Sequence, residues 1–334
     1  MNKKIDFVLI WVDCNDKNWQ KEKKKYLNST EVDNSVIRYQ DWENLKYWFR
    51  SVEKYAPWVN KVHLVTNGQV PSWLNIQCPK LNLVKHSDYM PFDSLPTFNS
   101  CAIEVGLHNI STLSDHFVYF NDDIFLTSPI TEEYYFCKGI PVDTLGFTRA
   151  PLSNPNSVFS SIIKNNNDII FSHFNKKDLV LNSFFYWFRP IYGKTFFRSL
   201  FYAVKKGRVG FTMPHLSAPF VKEDFERVWN EESDKLLVSQ YNRFRTNSDL
   251  THHLFRNWRM CTGNFVPRKI KGKYYSVANV KIAHKISSAI LKNKYPEICI
   301  NEVCSGEVFE NAKKIINDAF EKVLPQKSIF ELND

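Results

Sequence analysis

Short apolar runs in the N-terminal half constrain the fold of this chain more than any other feature. They are rich in β-branched and aromatic residues and lie at Ile5–Val12, Lys61–Thr66, Leu81–His86 and His116–Phe120. Continuous runs of this length predict strands covered on both faces, as in parallel sheets. Between the first two runs, apolar residues recur every three or four positions from Trp42 to Tyr55, which predicts an amphipathic helix with Asp41 as its N-cap. The alternation of strand and helix predicts an α/β fold with a largely parallel sheet.

The fourth run ends in three polar residues, Asn121, Asp122 and Asp123, before apolar residues resume. In open α/β sheets, ligands bind beyond the carboxyl ends of such strands. Two adjacent carboxylates are costly there unless a positive group meets them, and a divalent cation that carries substrate phosphates is a suitable partner. Asn121 can add a neutral ligand or orient Asp122. The alternative interpretation is a polar turn, because Asn and Asp favour turns.

Three further residues are candidates for binding or catalysis. Asp13 follows the first run, where a nucleotide can bind on the loop, or where the carboxylate caps a turn or helix instead. His215 lies between two prolines in a rigid, non-helical segment, which makes it a candidate general base. Arg245 precedes a helical pattern and is suited to binding a phosphate.

Charge and cysteine content limit the classes of partner and compartment. The net charge of +9 favours anionic partners such as nucleotides, phosphorylated glycans or acidic lipid surfaces, and at this stage leaves nucleic acid open. The seven cysteines are scattered and form no C-x-x-C pair, which fits a reduced cytoplasm better than secretion. The N-terminus is interpreted as a first strand and not as a signal peptide. No run reaches the roughly 18 apolar residues that a membrane-spanning helix needs.

The middle of the chain, residues 150–208, differs in composition from the segments on either side of it. Residues 150–175 include Pro151, Asn154 and Pro155 and predict an irregular excursion from the core. Residues 176–208 interleave aromatic side chains with lysine and arginine, a composition suited to an anionic membrane surface. Two alternatives remain open: a helical layer packed on the core with a solvated basic face, and a surface on which nucleic-acid bases stack.

Several separate stretches together resemble the Stealth family of hexose-1-phosphate transferases. That family includes bacterial capsular polysaccharide phosphotransferases and, more distantly, the lysosomal-enzyme GlcNAc-1-phosphotransferase. The matching stretches are IDFVLIWVD at 5–13, the segment 38–74, the segment 95–126 that ends in HFVYFNDDIFL, MPHLSAP at 213–219, FRTNSDL at 244–250, and ICINEV with PQKSIFE near the C-terminus. They keep the family's order and cover most of the chain.

The resemblance implies a reaction and a fold. The expected reaction transfers sugar-1-phosphate from a UDP-sugar, either UDP-hexose or UDP-N-acetylhexosamine, to a hydroxyl of a glycan or lipid-linked glycan acceptor, and releases UMP. The expected fold is Rossmann-like and glycosyltransferase-A-like, with a mostly parallel sheet, helices on both faces and an inserted helical, aromatic-rich segment. We expect one catalytic domain over residues 1–334, with a core of residues 1–135 and about 209–334 and an insertion of about 150–208. The expected location is cytoplasmic and peripheral, on the inner face of the bacterial plasma membrane.

The resemblance also assigns roles to residues. The family's motif residues fall on Asp13, Asn121, Asp122, Asp123, His215 and Arg245. Asp122 and Asp123 would hold Mg²⁺ or Mn²⁺ on the donor diphosphate, Arg245 would contact the transferred phosphate, and His215 would take the acceptor proton, with Asp123 also counted as catalytic. The residues expected to bind substrate are Asp13, Asn99, Asn121 and Arg208. Asn301-Glu302 departs from the Asn-Asp often found in the family, and we assign Glu302 no role.

Two rival functions are compatible with parts of the sequence. A UDP-sugar-dependent glycosyltransferase would also use a strand-end acidic pair to bind metal and UDP, but it would release UDP. A non-catalytic basic protein would bind nucleic acid or anionic glycan in a salt-dependent way. Our prediction is a metal-dependent phosphotransferase with no nucleic-acid partner.

Overall fold

The computed structural model of the chain describes residues 3–27, 40–151, 157–182 and 184–333. The strands in these residues are β1 Ile5–Ile10, β2 Val62–Thr66, β3 Leu81–Lys85, β4 His116–Phe120, β5 Ile124–Leu126, β6 Phe136–Cys137, β7 Ile140–Asp143, β8 Phe147–Arg149, β9 Val209–Phe211, β10 Ala218–Val221, β11 Val266–Pro267, β12 Gly272–Val277 and β13 Glu297–Glu302. The α-helices are α1 Lys17–Tyr26, α2 Leu45–Tyr55, α3 Ser100–Glu104, α4 Val158–His173, α5 Lys176–Asn182, α6 Phe184–Trp187, α7 Lys194–Val204, α8 Lys222–Tyr241, α9 His252–Thr262, α10 Val280–Leu291 and α11 Gly306–Val323.

The central sheet contains the four predicted strands. Its order is β10-β4-β1-β2-β3. β4, β1, β2 and β3 are parallel, and β10 is added antiparallel at the edge of β4. A second sheet, β12-β13-β5, begins where the chain leaves β4, because β5 follows β4 after only three residues. The predicted α/β fold with a mostly parallel sheet is confirmed.

Side chains of the central strands alternate between two hydrophobic cores, which explains why the runs are apolar throughout. Phe7 and Phe120 point into one core, whereas Val8 and Tyr119 point into the other. The first core is covered by α2, α10 and α11, and the second by α3, α4, α8 and α9. Helices therefore lie on both faces of the sheet, as predicted. This arrangement leaves the carboxyl edge of β1 and β4 to carry polar residues.

The helix predicted from Trp42 to Tyr55 begins later than predicted. Asn44 is the N-cap of α2, not Asp41, because Glu43 adopts a positive φ of 52° that a helix cannot accommodate. The carboxylate of Asp41 instead accepts a hydrogen bond of 2.7 Å from the Glu43 amide. The lysine-rich segment before it forms α1, whose first amides are capped by Asp16.

Where the structure describes the predicted excursion of residues 150–175, most of it is helical and not irregular. Residues 158–173 form the long helix α4, which packs against α9 through buried residues such as Ile162, Ile169 and Ile170. Asn154 and Pro155 lie outside the described residues. The aromatic-rich segment that follows is helical, as predicted, and forms α5, α6 and α7. In the described part of the chain, no helix has the length and hydrophobicity needed to cross a membrane.

Candidate functional site

The residues that follow β1 and β4 lie at one edge of the central sheet. β1 and β4 are parallel neighbours, with Leu9 opposite Phe120, so both strands end at the same edge. Asp13 follows β1, and Asn121, Asp122 and Asp123 connect β4 to β5. The Ile124 amide donates to the Asn121 carbonyl over 3.2 Å, so this connection is a tight turn as well as an acidic pair. The two interpretations of the sequence, a cation-binding acidic pair and a polar turn, are therefore compatible with each other at these residues.

Asp123 is held by two side chains from distant parts of the sequence. Nε2 of His215 lies 3.1 Å from Oδ2 of Asp123. The thiol of Cys299 donates to the same oxygen over 3.0 Å. Oδ1 of Asp123 is buried and has no hydrogen-bond partner among the described residues. Both donors therefore converge on one carboxylate oxygen and leave the other available to a further positive group.

The strands explain how these partners meet. β10 is antiparallel to β4, with Ala218 opposite Tyr119, so the segment before β10 returns to the carboxyl edge of β4 and brings His215 to Asp123. β13 is antiparallel to β5, with Cys299 opposite Ile124, which is the neighbour of Asp123 in the chain. The only sequence signal for Cys299 is its place in the ICINEV stretch near the C-terminus. The sheet register alone assigns it to this site.

The histidine and the carboxylate shift each other's pKa. Burial acts to lower the pKa of His215, but its hydrogen bond and charge interaction with Asp123 raise that pKa above its ordinary value. Burial acts to raise the pKa of Asp123, yet the hydrogen bond and charge of His215, together with the hydrogen bond from Cys299, hold it below its ordinary value. The pair is thus an imidazole oriented by an ionised carboxylate.

Asp122 lies in an environment unfavourable for a second negative charge. Burial and the nearby carboxylates of Asp123, Glu302 and Asp41 raise its pKa to about 8. The side chain still has exposed surface, so we attribute the direction of this shift mainly to like-charge repulsion and less to burial. Oxygen donors, clustered negative charge and the unpaired Oδ1 of Asp123 fit a hard divalent cation. Asp122 and Asp123 are the side chains that would hold it.

Two of these acidic neighbours were missed by sequence reasoning. Asp41 was assigned to a helix cap, but its burial and its proximity to Asp13 raise its pKa. Glu302, to which no role was assigned, ends β13 and accepts a hydrogen bond of 3.2 Å from the Trp42 indole. The only sequence signal for Glu302 was its place beside Asn301 in a family motif.

Asn121 is oriented by a buried polar network. The Tyr119 hydroxyl donates to the amide oxygen of Asn121. The Tyr119 ring lies 4.8 Å from the ring of His252. Nδ1 of His252 is in turn 2.7 Å from the carboxylate of Glu104. His252 and His253, which follow the Arg245 segment, are buried and not surface residues.

Arg245 and Asn99 meet at the N-terminus of α3. Nη2 of Arg245 donates to the Ser100 hydroxyl over 2.5 Å. Burial acts to raise the pKa of Glu104, but the charge and hydrogen bond of His252 and the charge of Arg245 hold it below its ordinary value. Arg245 therefore acts electrostatically on the polar network that orients Asn121.

The substrate-binding role predicted for Asn99 is not supported by its contacts. Asn99 is only 1% exposed. Its amide nitrogen donates to the carbonyls of Asn242 and Phe244 and to the Asp249 carboxylate, and its amide oxygen accepts from the Cys101 amide. These bonds occupy the whole side-chain amide. Asn99 therefore holds the Arg245 segment against α3, and it has no group left for a substrate.

Arg208 and Asp13 have contacts of different kinds. The Arg208 guanidinium pairs with Asp168 of α4 over 2.6 Å and lies at the opposite end of β9 from His215, so its contacts give no support to substrate binding. The Asp13 carboxylate accepts a 2.9 Å hydrogen bond from the Asn15 amide, and the Gln69 side chain binds both backbone groups of Asp13. Asp13 thus caps a turn, as in the alternative interpretation, while remaining half-buried at the sheet edge.

The chain is similar to a family of known proteins, and the matched residues include this site. A family model, Stealth protein CR2, conserved region 2, matches residues 38–142, which include β4 and the Asn121–Asp123 turn. The capsular polysaccharide phosphotransferase WcwK of Streptococcus pneumoniae is 39% identical over 98% of each chain. The exopolysaccharide phosphotransferase cps2G of Lactiplantibacillus plantarum is 39% identical over 98% of this chain and 96% of its own. Among solved structures, the galactosyltransferase LgtC covers 95% of each chain at 8% identity with a TM-score of 0.39, a likeness too weak to add to the fold described above.

Proposed function

Because the chain belongs to the Stealth family of capsular and exopolysaccharide phosphotransferases, we propose that it transfers sugar-1-phosphate from a UDP-sugar to a hydroxyl of a glycan acceptor. The acceptor oxygen attacks the β-phosphorus of the donor. The bond from that phosphorus to the bridging oxygen breaks, and UMP leaves. The sugar keeps its own bond to the phosphate, so the product is a phosphodiester with an unchanged anomeric configuration.

The contact between His215 and Asp123 is the observation that carries this proposal. Phosphoryl transfer depends on positioning and charge stabilisation more than on covalent catalysis. His215 directs Nε2 to the Asp123 carboxylate, so Nδ1 is the ring nitrogen that takes the proton of the acceptor hydroxyl. Asp123 keeps the ring in this orientation and stabilises the charge that the ring acquires. The side chain of His215 is 37% exposed, which leaves it accessible to an acceptor.

The other residues act on the donor. Arg245 contacts oxygens of the transferred phosphate, and its bond to Ser100 limits the directions in which it can reach. A divalent cation, Mg²⁺ or Mn²⁺, held by Asp122 and Asp123 supplies charge neutralisation on the donor diphosphate when it is bound. Asp13 and Asn121 line the same sheet edge and bind the donor in this proposal.

The donor in this proposal is a UDP-hexose or UDP-N-acetylhexosamine, and the acceptor is a glycan or lipid-linked glycan. In this proposal the enzyme works in the cytoplasm at the inner face of the bacterial plasma membrane. Its net charge of +9 favours both an anionic donor and an anionic lipid surface.

Product analysis tests the proposal directly. The protein is incubated with a panel of UDP-sugars, Mg²⁺ and a glycan acceptor, and the released nucleotide is identified while phosphorus NMR examines the glycan. We expect UMP and a phosphodiester signal, and neither with the Asp123→Asn variant. UDP without phosphorus in the glycan would make the protein a glycosyltransferase, and no consumption of any donor would leave a binding protein. Asp93→Asn, on an exposed aspartate outside the site, is the matched control.

A further inference from the structure

The inserted helices carry many of the large hydrophobic residues that are exposed in the described part of the chain. The α5–α7 surface comprises the exposed apolar residues Leu181, Phe184, Phe185, Tyr186, Ile191, Phe197, Phe201 and Val204. Phe185 is 82% exposed and Val204 is 84% exposed. Soluble proteins rarely expose so many large apolar side chains in one short segment unless they bind something there. α5 contacts both α6 and α7, so these residues belong to neighbouring helices.

The packing of α7 determines which of its faces is exposed. Ser199 is fully buried, and its hydroxyl accepts a hydrogen bond of 3.0 Å from the Phe147 amide of β8. A Cβ on Gly146 would lie 2.3 Å from a methyl group of Thr195, so only glycine allows the helix to approach this closely. Thr195 and Ser199 thus face the two-stranded sheet of β8 and β9. Since Phe197 lies on the opposite side of the helix by its 100° spacing, the aromatic face points away from the protein.

The surroundings of this apolar surface are strongly basic. Residues 176–208 contain one acidic residue, Asp178, and the basic residues Lys176, Lys177, Arg189, Lys194, Arg198, Lys205, Lys206 and Arg208. On α7 the basic residues Lys194 and Arg198 flank the exposed aromatic face. Exposed aromatic and aliphatic side chains surrounded by lysine and arginine are the composition of a surface that inserts at an anionic bilayer interface. A second copy of the chain is a poor partner, because it would bring two basic surfaces together.

The α5–α7 surface is also linked to the catalytic histidine. Nη2 of Arg198 on α7 donates to the Thr212 hydroxyl over 2.7 Å. Thr212 begins the short segment that leads to His215, and its amide donates to the Gly146 carbonyl over 2.7 Å. The helix that carries the aromatic face is therefore attached to the segment that carries the proposed base. Docking of α7 on a bilayer would hold the acceptor side of the site close to the membrane.

We propose that the α5–α7 surface docks on an anionic phospholipid bilayer and presents the site to an acceptor anchored in that bilayer. The docking is inferred from the exposed apolar residues of this surface and the basic residues around them, whereas the presentation of the site to the acceptor rests on the function proposed above. A bilayer, unlike a soluble acidic protein or a nucleic acid, matches both the apolar and the basic residues of this surface.

Vesicle flotation tests the docking. The purified protein is mixed with vesicles of phosphatidylcholine alone or of phosphatidylcholine with phosphatidylglycerol, at low and high salt. We expect flotation with the phosphatidylglycerol vesicles at low salt, and weaker flotation at high salt or with neutral vesicles. Absence of flotation at low salt would overturn the proposal.

Matched variants identify the surface. Phe197→Ser with Phe201→Ser removes apolar contacts, and Ile76→Ser with Phe92→Ser is its control on exposed apolar residues elsewhere. Lys194→Glu with Lys206→Glu reverses two charges, and Lys314→Glu with Lys322→Glu makes the same change on exposed residues of α11. We expect each α5–α7 double variant to lower vesicle partitioning by about tenfold or more, with both controls floating like the wild type. Equal loss in a control, or no loss in either α5–α7 variant, would contradict the proposal.

Two further measurements separate this proposal from its rivals and from the proposed function. Sedimentation of the free protein at several concentrations should show no self-association, and a dimer broken by Phe197→Ser with Phe201→Ser would assign the surface to a second copy. UMP release with a water-soluble acceptor should be the same for the α5–α7 variants and the wild type. With a lipid-linked acceptor in vesicles, the variants that float less should also release less UMP. Flotation without UMP release would keep the docking and reject the proposed function, and the reverse result would reject only the docking.

Discussion

Nε2 of His215 lies 3.1 Å from Oδ2 of Asp123, and the two residues are joined across 92 positions of the chain. This contact defines the candidate site, because it combines a base with the carboxylate that orients it. Asp123 also adjoins Asp122, whose pKa is raised by burial and by the neighbouring carboxylates. One short turn thus connects the residues proposed to act on the acceptor with those proposed to act on the donor.

Replacing His215 should remove most of the activity without unfolding the protein. His215→Ala should lower turnover by on the order of 10²–10⁴-fold, since the acceptor proton would have no base. UMP release in single-turnover and steady-state assays measures the loss, and the thermal unfolding midpoint checks the fold. His284→Ala, on an exposed histidine of α10, should behave like the wild type. An unchanged rate for His215→Ala would exclude the role proposed for this histidine.

Cys299 should act as a positioning residue for Asp123. Cys299→Ser keeps a donor to the carboxylate and should retain near wild-type turnover, whereas Cys299→Ala should lower turnover by about fivefold, the equivalent of one net hydrogen bond of about 1 kcal/mol. The effect should appear in turnover and not in the Michaelis constant for the donor. Equal losses in the serine and alanine variants would show that Cys299 matters only for packing.

Removal of divalent cations should abolish activity, and Mg²⁺ or Mn²⁺ should restore it. The metal-free protein should also become more stable in Asp122→Asn, because that change removes one of two adjacent carboxylates. Thermal unfolding with and without Mn²⁺ measures both effects: the wild type should gain stability from Mn²⁺, and the variant should gain little. Asp93→Asn should respond to Mn²⁺ as the wild type does. A stabilisation by Mn²⁺ that survives Asp122→Asn would place the cation elsewhere.

The buried carboxyl of Glu297 should make stability depend on pH. Burial raises its pKa from 4.5 to about 7, even though it accepts hydrogen bonds from Ser217 and Tyr134. The folded state therefore binds this proton more tightly than the unfolded state, so the contribution of Glu297 to stability should be largest below about pH 4.5 and fall as the pH rises to about 7, by about 3 kcal/mol in total at 1.36 kcal/mol per pH unit. Glu297→Gln should remove this slope. Urea unfolding of both proteins across this range gives the difference, and parallel slopes would contradict the prediction.

The C-terminal segment should depend on one buried ion pair. Nε and Nη2 of Arg50 on α2 donate to the two carboxylate oxygens of Glu331 over 2.9 and 2.8 Å. Glu331→Ala would leave the buried guanidinium partly unpaired and should cost about 3 kcal/mol, the lower end of the range for breaking a buried pair, because Glu321 and a backbone carbonyl also accept from Arg50. Urea unfolding measures the loss. Glu226→Ala, on an exposed glutamate of α8, should change stability little.

The sequence was a good guide wherever the signal is local. The apolar runs predicted β1, β2, β3 and β4, since a strand buried on both faces needs apolar side chains at every position. The acidic pair after β4 was visible because the same run places it at a strand end. The composition of residues 176–208 shows that they are rich in aromatic and basic side chains, and the family resemblance predicts that they are helical.

The sequence was a poor guide to the partners of those residues. Asp41 was assigned to a helix cap because the apolar spacing begins beside it, and only the positive φ of Glu43 shows that the helix begins later. Asn99 was expected to bind substrate, but its amide is used up by the segment 242–249, which lies more than a hundred residues away in the chain. α4 was missed because its asparagine-rich sequence resembles a loop until α9 covers it.

By itself, the sequence determined the fold class, the acidic turn after β4 and the candidacy of His215, since strand periodicity, turn chemistry and proline rigidity are properties of short stretches of chain. Only the tertiary structure decided that Asp123 contacts His215 and Cys299, that Asp41 and Glu302 add charge beside Asp122, and that the aromatic face of α7 points outward. These contacts depend on which strands pair and in which register. Cys299 reaches Asp123 because β13 runs antiparallel to β5 with Cys299 opposite Ile124, and a shift by one residue would turn its thiol to the other face of the sheet.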